Sequence, residues 1–368
     1  MPIFMDRHNI PRQVTAEHVA EMHKLDLEIE HLYNCRGITY WCDEKKGNAF
    51  CLIEAPNKES IQKMHDHAHG EFPADIIEVD EKLIASFLGR IDDPENLSGN
   101  DLNIIDDSAF RVIMVIETNN YLNRIEANQL SVFTQKLHKS VLKSIKKFKG
   151  SVVKQDNCSY LVSFTSISDA ISCALKIQSN INYITPKFDG YHRLLNIAIG
   201  SGDPVTDKDT IFEDVISLAT RMCEVVDGKI VISSQVKNLF VIENRNLELD
   251  SNLVRPLNPV EEKFLTQLMN YMEKVWSDPN IKTEHLSSEL GYSKSQLYRK
   301  LKSLTNKSPN NFIKEMKLNK SLNLFHNKLG NVSEIAFEVG FNSPAYFTKC
   351  FYEKFGILPS KYTQQHIF

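Results

Sequence analysis

The sequence lacks any apolar run near the ~20 residues that cross a bilayer. Its first residues also lack the basic, apolar and small-residue order of a signal peptide. Those absences predict no membrane partner and a cytoplasmic location. CxxC spacing is missing too. Seven cysteines, an odd number, are scattered along 368 residues, which argues against a disulfide framework and for reduced thiols. Nor is there a surplus of positive charge, since the net charge is −4. Evenly spread, that balance would disfavour a nucleic-acid partner, but it is uneven. Residues 260–368 carry 15 Lys and Arg against 10 Asp and Glu, while residues 1–259 carry 28 against 37. The basic share lies at the C-terminal end, where a nucleic-acid footprint would fall. The rest of the composition, 42% hydrophobic and 24% charged, suits a globular chain long enough for two or three domains.

The C-terminal region, 258–368, repeats one pattern. His285 to Leu301 and Val332 to Phe351 each read as a short helix, a glycine (Gly291, Gly340), a large apolar residue, a polar cap and a second helix. The glycines stand where a helix must end in a left-handed residue, and Ser293 and Ser343 are good N-caps, with Pro344 suited to the first turn. This is the signature of two helix-turn-helix units. In the second helices, Leu297, Leu301 and Leu304, then Phe347, Phe351 and Phe355, form an inward face. The opposite faces carry Lys294, Ser295, Gln296, Tyr298, Arg299 and Lys302, and then Ala345, Tyr346, Thr348 and Lys349, with Ser293, Asn342 and Ser343 joining them as expected DNA contacts from the turns. These side chains suit phosphates and base edges in a major groove. A helix expected from Ser308 to about Asn327 joins the units.

This region closely resembles the AraC/XylS family of bacterial transcription regulators. The resemblance rests on Gly291-Tyr-Ser-Lys-Ser-Gln-Leu-Tyr-Arg-Lys-Leu-Lys, Ser308-Pro-Asn-Asn-Phe-Ile, Ile335-Ala-Phe-Glu-Val-Gly-Phe, Tyr346-Phe and Phe355-Gly-Ile-Leu-Pro-Ser-Lys-Tyr. It implies double-stranded DNA as partner and admits RNA polymerase as a second one.

Residues 1–80 read β-α-β-β-α-β, the order of a ferredoxin-like sandwich. Seven of the chain's 12 histidines fall here: His8, His18, His23, His31, His65, His67 and His69. Asp6 and His8 share one strand face, and His65 and His69 lie one helical turn apart. With His23 mid-helix, an inward His8 is expected to approach His23, and the His65/His69 pair to sit at the sheet's edge. Imidazole, carboxylate and a thiolate from Cys42 or Cys51 suit a transition metal such as nickel or zinc, with copper also admitted. The bland alternative is ordinary hydrogen-bonded histidines, since no ligand spacing is diagnostic. The stretch resembles a small bacterial family of this fold, one member of which binds nickel, through Asp6, His8, Tyr40-Trp41, Asp43-Glu44, Phe50-Cys51-Leu52, Glu54-Ala55-Pro56 and His65 to Gly70.

Residues 81–108 begin as a short helix and continue as an acidic linker, and residues 244–257 read as a second linker. Between them, residues 109–243 predict an antiparallel sheet with helices on one face. Gly150 to Phe164, the run from Ser168 to Gln178, Asn196 to Gly202, Ser217 to Cys223 and Gly228 to Ser233 resemble a class III nucleotide cyclase domain. Phosphoryl transfer in such domains needs two metal ions on aspartates. Here Cys158 stands at one aspartate position, Glu117 is the nearest group to the other, and Ser217 replaces an asparagine, although Arg221 remains. The expectation is a non-catalytic relative that binds a ligand or forms a homodimer. The whole then reads as a multidomain α+β regulator: ferredoxin-like, cyclase-like and all-α reader domains. Two alternatives stay open, a cyclase fused to a DNA-binding tail and a metal store unrelated to regulation.

Overall fold

The computed structural model describes all residues except 12, 71, 95–101, 119–126, 157–158, 185–194, 229, 245–247, 328 and 366–368. The aspartate position read as Cys158, and the start of the helix expected from Asn123, lie outside the described residues.

The N-terminal domain comprises β1 (Ile3–Asn9), α1 (Ala16–Ile29), β2 (Arg36–Asp43), β3 (Asn48–Glu54), α2 (Lys58–Ala68) and β4 (Asp75–Val79). Its antiparallel sheet has the order β2-β3-β1-β4, a ferredoxin-like arrangement. Strand alternation splits its side chains. Phe4, Tyr40, Cys42, Cys51 and Ile53 meet Val19, Ala20, Ile61 and Met64 of the two helices. Met5, Trp41, Phe50, Leu52 and Ile77 face the other way.

That second face is not solvated. It packs on α3 (Glu81–Leu88) through Ile84, Phe87 and Leu88, and on Ile113, Val205, Ile211 and Phe212 of the middle domain. The stretch 81–108 is therefore part of a seam rather than a free spacer. Arg111 is 3% exposed and donates to the carbonyls of Phe87 and Leu88 at 3.0 and 2.9 Å. A guanidinium there satisfies the orphan carbonyls at the end of α3.

The middle domain comprises β5 (Arg111–Thr118), α4 (Ala127–Lys147), β6 (Ser151–Gln155), β7 (Ser159–Phe164), α5 (Ile167–Ile184), β8 (Leu195–Gly202), α6 (Glu213–Val225), β9 (Ile230–Ile232) and α7 (Ser234–Glu243). With β10 (Val254–Pro256), drawn from the stretch read as the second linker, its sheet has the order β10-β9-β8-β5-β7-β6. The all-antiparallel, one-faced expectation is corrected here. β8, β9 and β10 run parallel, because α6 and then α7 cross over between strands and return the chain in the same direction. Helices α4, α5 and α7 cover one face, and α6 covers the other.

The C-terminal domain is all-α: α8 (Pro259–Val275), α9 (Thr283–Glu289), α10 (Lys294–Thr305), α11 (Pro309–His326), α12 (Val332–Glu338), α13 (Pro344–Phe355) and α14 (Pro359–Gln365). One apolar core runs from Ala219, Met222 and Cys223 of α6 through Phe264, Leu265 and Leu268 of α8 to Leu297, Leu301 and Leu304 of α10. The second unit has its own core of Ile335, Phe341, Phe347, Phe351, Phe355 and Tyr362.

Candidate metal cluster and helix-turn-helix interface

The buried histidines form a chain with carboxylates under α1 and α2. Asp6 and His8 project from β1 towards the helices, as period-2 alternation requires. His65, in the last turn of α2, is fully buried and sits between two carboxylates: Nε2 is 2.8 Å from Asp6 Oδ2 and Nδ1 is 3.0 Å from Asp26 Oδ1. Burial alone would lower its pKa, but hydrogen bonds and charge from Asp26 and Asp6 raise it to about 10. Burial opposes ionisation of Asp6 as well, yet His8 and His65 hold that carboxyl well below the usual range. His69 Nε2 stands 3.2 Å from His65 Nδ1 and 3.4 Å from Asp26 Oδ1. The Cys51 amide donates to Asp6 Oδ1 at 3.0 Å, and burial with the Asp6 charge pushes the Cys51 thiol well above its ordinary value.

Two donor groups result. Asp6, His8 and Cys51 place one ligand atom each within 4.8 Å of one another, and so do Asp26, His65 and His69. The orphan in this set is His8. It is 6% exposed, and among the described residues neither ring nitrogen makes a hydrogen bond, the nearest approach being an ion-pair contact of Nε2 with Asp6 Oδ2 at 3.4 Å. A buried imidazole with two unpaired nitrogens is costly. A cation bound by His8, Asp6 and Cys51 would engage one of those nitrogens and remove part of that cost, and the nitrogen, oxygen and sulfur donors suit nickel or zinc. The residues fit the group.

The expected grouping changes in two ways. The His65/His69 pair is not at the sheet's edge; it lies over the sheet and meets His8, with ring centroids at 4.9 and 6.4 Å. His23 instead packs on Tyr40 at 5.0 Å and joins neither donor group, and burial lowers its pKa. Cys42 joins neither group among the described residues. Asp26 is the ligand candidate that sequence reasoning misses. It sits three residues after His23 on α1, close enough in helical phase to face inward, and that spacing is the available signal.

In the reader, the turns form as the sequence predicts. Gly291 and Gly340 have φ of 69° and 77°, and Ser293 and Ser343 accept from the Gln296 and Tyr346 amides. All twelve expected contact residues, Ser293, Lys294, Ser295, Gln296, Tyr298, Arg299, Lys302, Asn342, Ser343, Ala345, Tyr346 and Lys349, are at least partly exposed. Some are already engaged. Gln296 Oε1 accepts from the Ser293 amide at 2.9 Å, Lys294 Nζ meets Glu284 at 2.7 Å, and Lys302 Nζ donates to the Asn306 carbonyl at 2.8 Å. Arg299 has no ion-pair or hydrogen-bond partner among the described residues, which leaves its five donors available. It lines a groove of about 730 Å³ with Gln296, Lys300 and Ser303 of α10 and Val260 and Phe264 of α8.

The arginine expected from the cyclase resemblance meets the C-terminal domain. Arg221 of α6 pairs with Glu273 of α8 at 3.2 Å. Burial, Glu224 and Asp156 push the Glu117 carboxyl up to about 7, with Lys320 of α11 drawing it back.

Residues 4–79 match the family described as nickel responsive protein SCO4226-like, and residues 286–365 match a helix-turn-helix domain family. The chain thus joins an N-terminal SCO4226-like fold to a C-terminal helix-turn-helix domain across an α+β middle domain. The crystal structure of SCO4226 from Streptomyces coelicolor is 32% identical, with a TM-score of 0.20 over 21% of this chain and 94% of that one. The chain is 34% identical over 110 residues to histidine kinase P4 of Formosa agariphila, 30% of this chain and 8% of that protein. It is 26% identical over 162 residues to the uncharacterized HTH-type transcriptional regulator YdeC of Bacillus subtilis, 44% of this chain and 53% of that protein. The chain therefore spans about half or less of these curated relatives. No helix among the described residues is long and apolar enough to cross a membrane.

Proposed function

We propose that the chain is a transcription regulator of the AraC/XylS type that binds duplex DNA sequence-specifically through α10 and α13, under the control of a transition metal held by the N-terminal domain. The observation that carries the DNA half is the duplicated unit with left-handed glycine turns, serine caps and no expected contact residue buried. Selection of duplexes from a random-sequence pool by the full chain tests it. Enrichment of one motif is expected, and absence of any enriched motif would sink the reading.

The control half is supported by the orphaned His8 and by a continuous packed route. β1 carries Asp6 and His8 on its metal-facing side, while the Arg7 Nη1 donates to the Val205 carbonyl at 3.5 Å and Asn48 Nδ2 to Asp203 Oδ2 at 3.1 Å across the seam. From there α6 shares its core with α8 and α10. Arg255 fastens the end of α10, donating to the carbonyls of Asp227, Ser303 and Leu304 at 2.6, 2.8 and 3.1 Å. When bound, the metal would supply a fixed positive charge; the residues holding it would be Asp6, His8 and Cys51, whereas Asp26, His65 and His69 could hold it only after His65 gives up a ring proton. Control requires different metal affinity in two reader placements, and the coupling is then reciprocal. Calorimetry of the full chain with Ni²⁺, Zn²⁺ and Cu²⁺ is the test, repeated with His8→Ala and His65→Ala. Micromolar binding weakened in a variant is expected, together with an equal factor between metal-dependent DNA affinity and DNA-dependent metal affinity. Binding unchanged in both variants would place any site elsewhere. Protons compete for these ligands, so affinity should fall as pH falls.

The middle domain is read as non-catalytic, supported by Ser217 in α6, the Arg221–Glu273 pair and the half-buried Glu117 with its raised pKa. ATP or GTP with Mg²⁺ or Mn²⁺ should yield no cyclic nucleotide, and turnover lost on Arg221→Ala would favour the enzyme reading. RNA polymerase and a second copy of the chain are the further partners of this reading, checked by pull-down and by sedimentation on the selected duplex.

A further inference from the structure

The two helix-turn-helix units have separate cores. The first is fused to the middle domain; the second is set relative to it by α11, with its contacts, and by Trp276 at the end of α8, which packs against the second core. Lys317 of α11 is only 6% exposed. Its Nζ donates to the Asp278 carbonyl at 2.8 Å and to the Gly340 carbonyl at 2.9 Å. Asp278 lies in the loop between α8 and α9, in the first unit; Gly340 is the turn glycine of the second. Two residues earlier, Glu315 Oε2 lies 3.0 Å from Lys307 Nζ, just before α11, and 3.0 Å from Lys354 Nζ on α13. Both side chains therefore span the two units.

A buried ammonium is a poor way to gain stability, because desolvation offsets much of what its hydrogen bonds return, and an apolar side chain would fill the space more favourably. What it adds is geometry. Two carbonyls from different units must both stay at hydrogen-bond distance from one nitrogen. The fit leaves no slack: a Cβ on Gly340 would run into the Ser277 carbonyl oxygen and come within 2.8 Å of Lys317 Nζ. Gly340 is also only four residues ahead of α13, so holding its carbonyl holds the start of the second recognition helix.

We infer that Lys317, aided by Glu315, is the positioning residue that fixes the phase between α10 and α13, and so makes the protein select DNA by the spacing of its two contacted segments. The inference rests on reading this domain as a duplex DNA reader. A phase lock predicts an effect on spacing rather than on base identity. One inserted base pair turns the second segment by about a tenth of a helical turn, which a locked pair of helices cannot follow.

The test uses the full chain and a duplex selected by the wild-type protein, with one or two base pairs inserted between its two footprinted segments. Wild type should lose about tenfold affinity for each insertion, the scale of a lost base-pair contact. Lys317→Met should bind the parent duplex more weakly but lose only about threefold or less per insertion, with the salt slope unchanged because no phosphate contact is removed. Lys317→Arg keeps the donors and should restore the wild-type profile. Glu315→Gln should flatten the profile partially, and it serves as the test if Lys317→Met does not fold. A folded Lys317→Met with the wild-type spacing profile overturns the inference, as does a flat profile in wild type. If wild type selects no duplex at all, the reader assignment falls as well, which separates the two failures.

Discussion

Arg299 and Lys349 are both exposed cations on recognition helices, yet their surroundings assign them different work. Arg299 is unpaired among the described residues and lines the groove beside α8, so under the proposed reading its donors are free for a base edge. Arg299→Ala should cost about 1–3 kcal/mol on the selected duplex and relax preference at one position, measured by competition binding. Lys349 lies 4.0 Å from Glu353, one turn along α13. Its loss should weaken all sequences alike and reduce the salt slope by about one. Gln296 must give up its capping bond to reach a base, a cost that Arg299 does not bear. Glu117 makes a separate prediction. Burial raises its folded pKa from 4.5 to about 7, so its contribution to stability is complete below 4.5 and is lost as pH rises through 7. Glu117→Gln should therefore be more stable than wild type at pH 8, by about 2–3 kcal/mol once its partial exposure is discounted, and the gap should close by pH 4.5. Thermal unfolding across that window checks it; a constant gap would mean that Glu117 does not titrate there.

At the scale of elements, the two turn glycines look identical in sequence but not in space. Gly291 has φ of +69°, and a Cβ added there would meet nothing within 4 Å, so Gly291→Ala should cost only the left-handed strain, about 1–2 kcal/mol. Gly340 meets the Ser277 carbonyl and Lys317 besides, so Gly340→Ala should cost clearly more and disturb the second unit. Equal midpoints for the two variants would contradict the packing of that turn. Helix caps and turns were legible because their chemistry is local: Ser293, Ser308 and Ser343 each bond an amide three residues on. The parallel pairing of β8 and β9 was readable in principle from the strand-helix-strand order, since a crossover helix returns the chain in the same direction, whereas β10 fell in the stretch read as a linker.

At the scale of the molecule, the sheet face of the N-terminal domain built from Met5, Trp41, Phe50, Leu52 and Ile77 is covered by α3 and the middle domain. Residues 1–80 alone would expose that patch, and an isolated fragment should self-associate at micromolar concentration. A monodisperse, monomeric fragment by sedimentation would refute the seam. The full chain is for that reason the proper object for metal titration. In the full chain the N-terminal domain, middle domain and first helix-turn-helix unit should move together, because apolar cores run across both seams.

The sequence by itself determined the order of α+β parts followed by an all-α part, the two helix-turn-helix units and the candidate ligand types, because periodicity, glycine turns, caps and histidine density are set over a few residues. Only the tertiary structure decided which of those groups meet. His8 met His65 and His69 rather than His23, Asp26 joined from α1, and Arg221 was taken by Glu273, since each pairing depends on how helices lie across a sheet and not on spacing along the chain. Lys317 read as one more lysine on a helix, and only the fold brought it to two carbonyls that lie far apart in the chain.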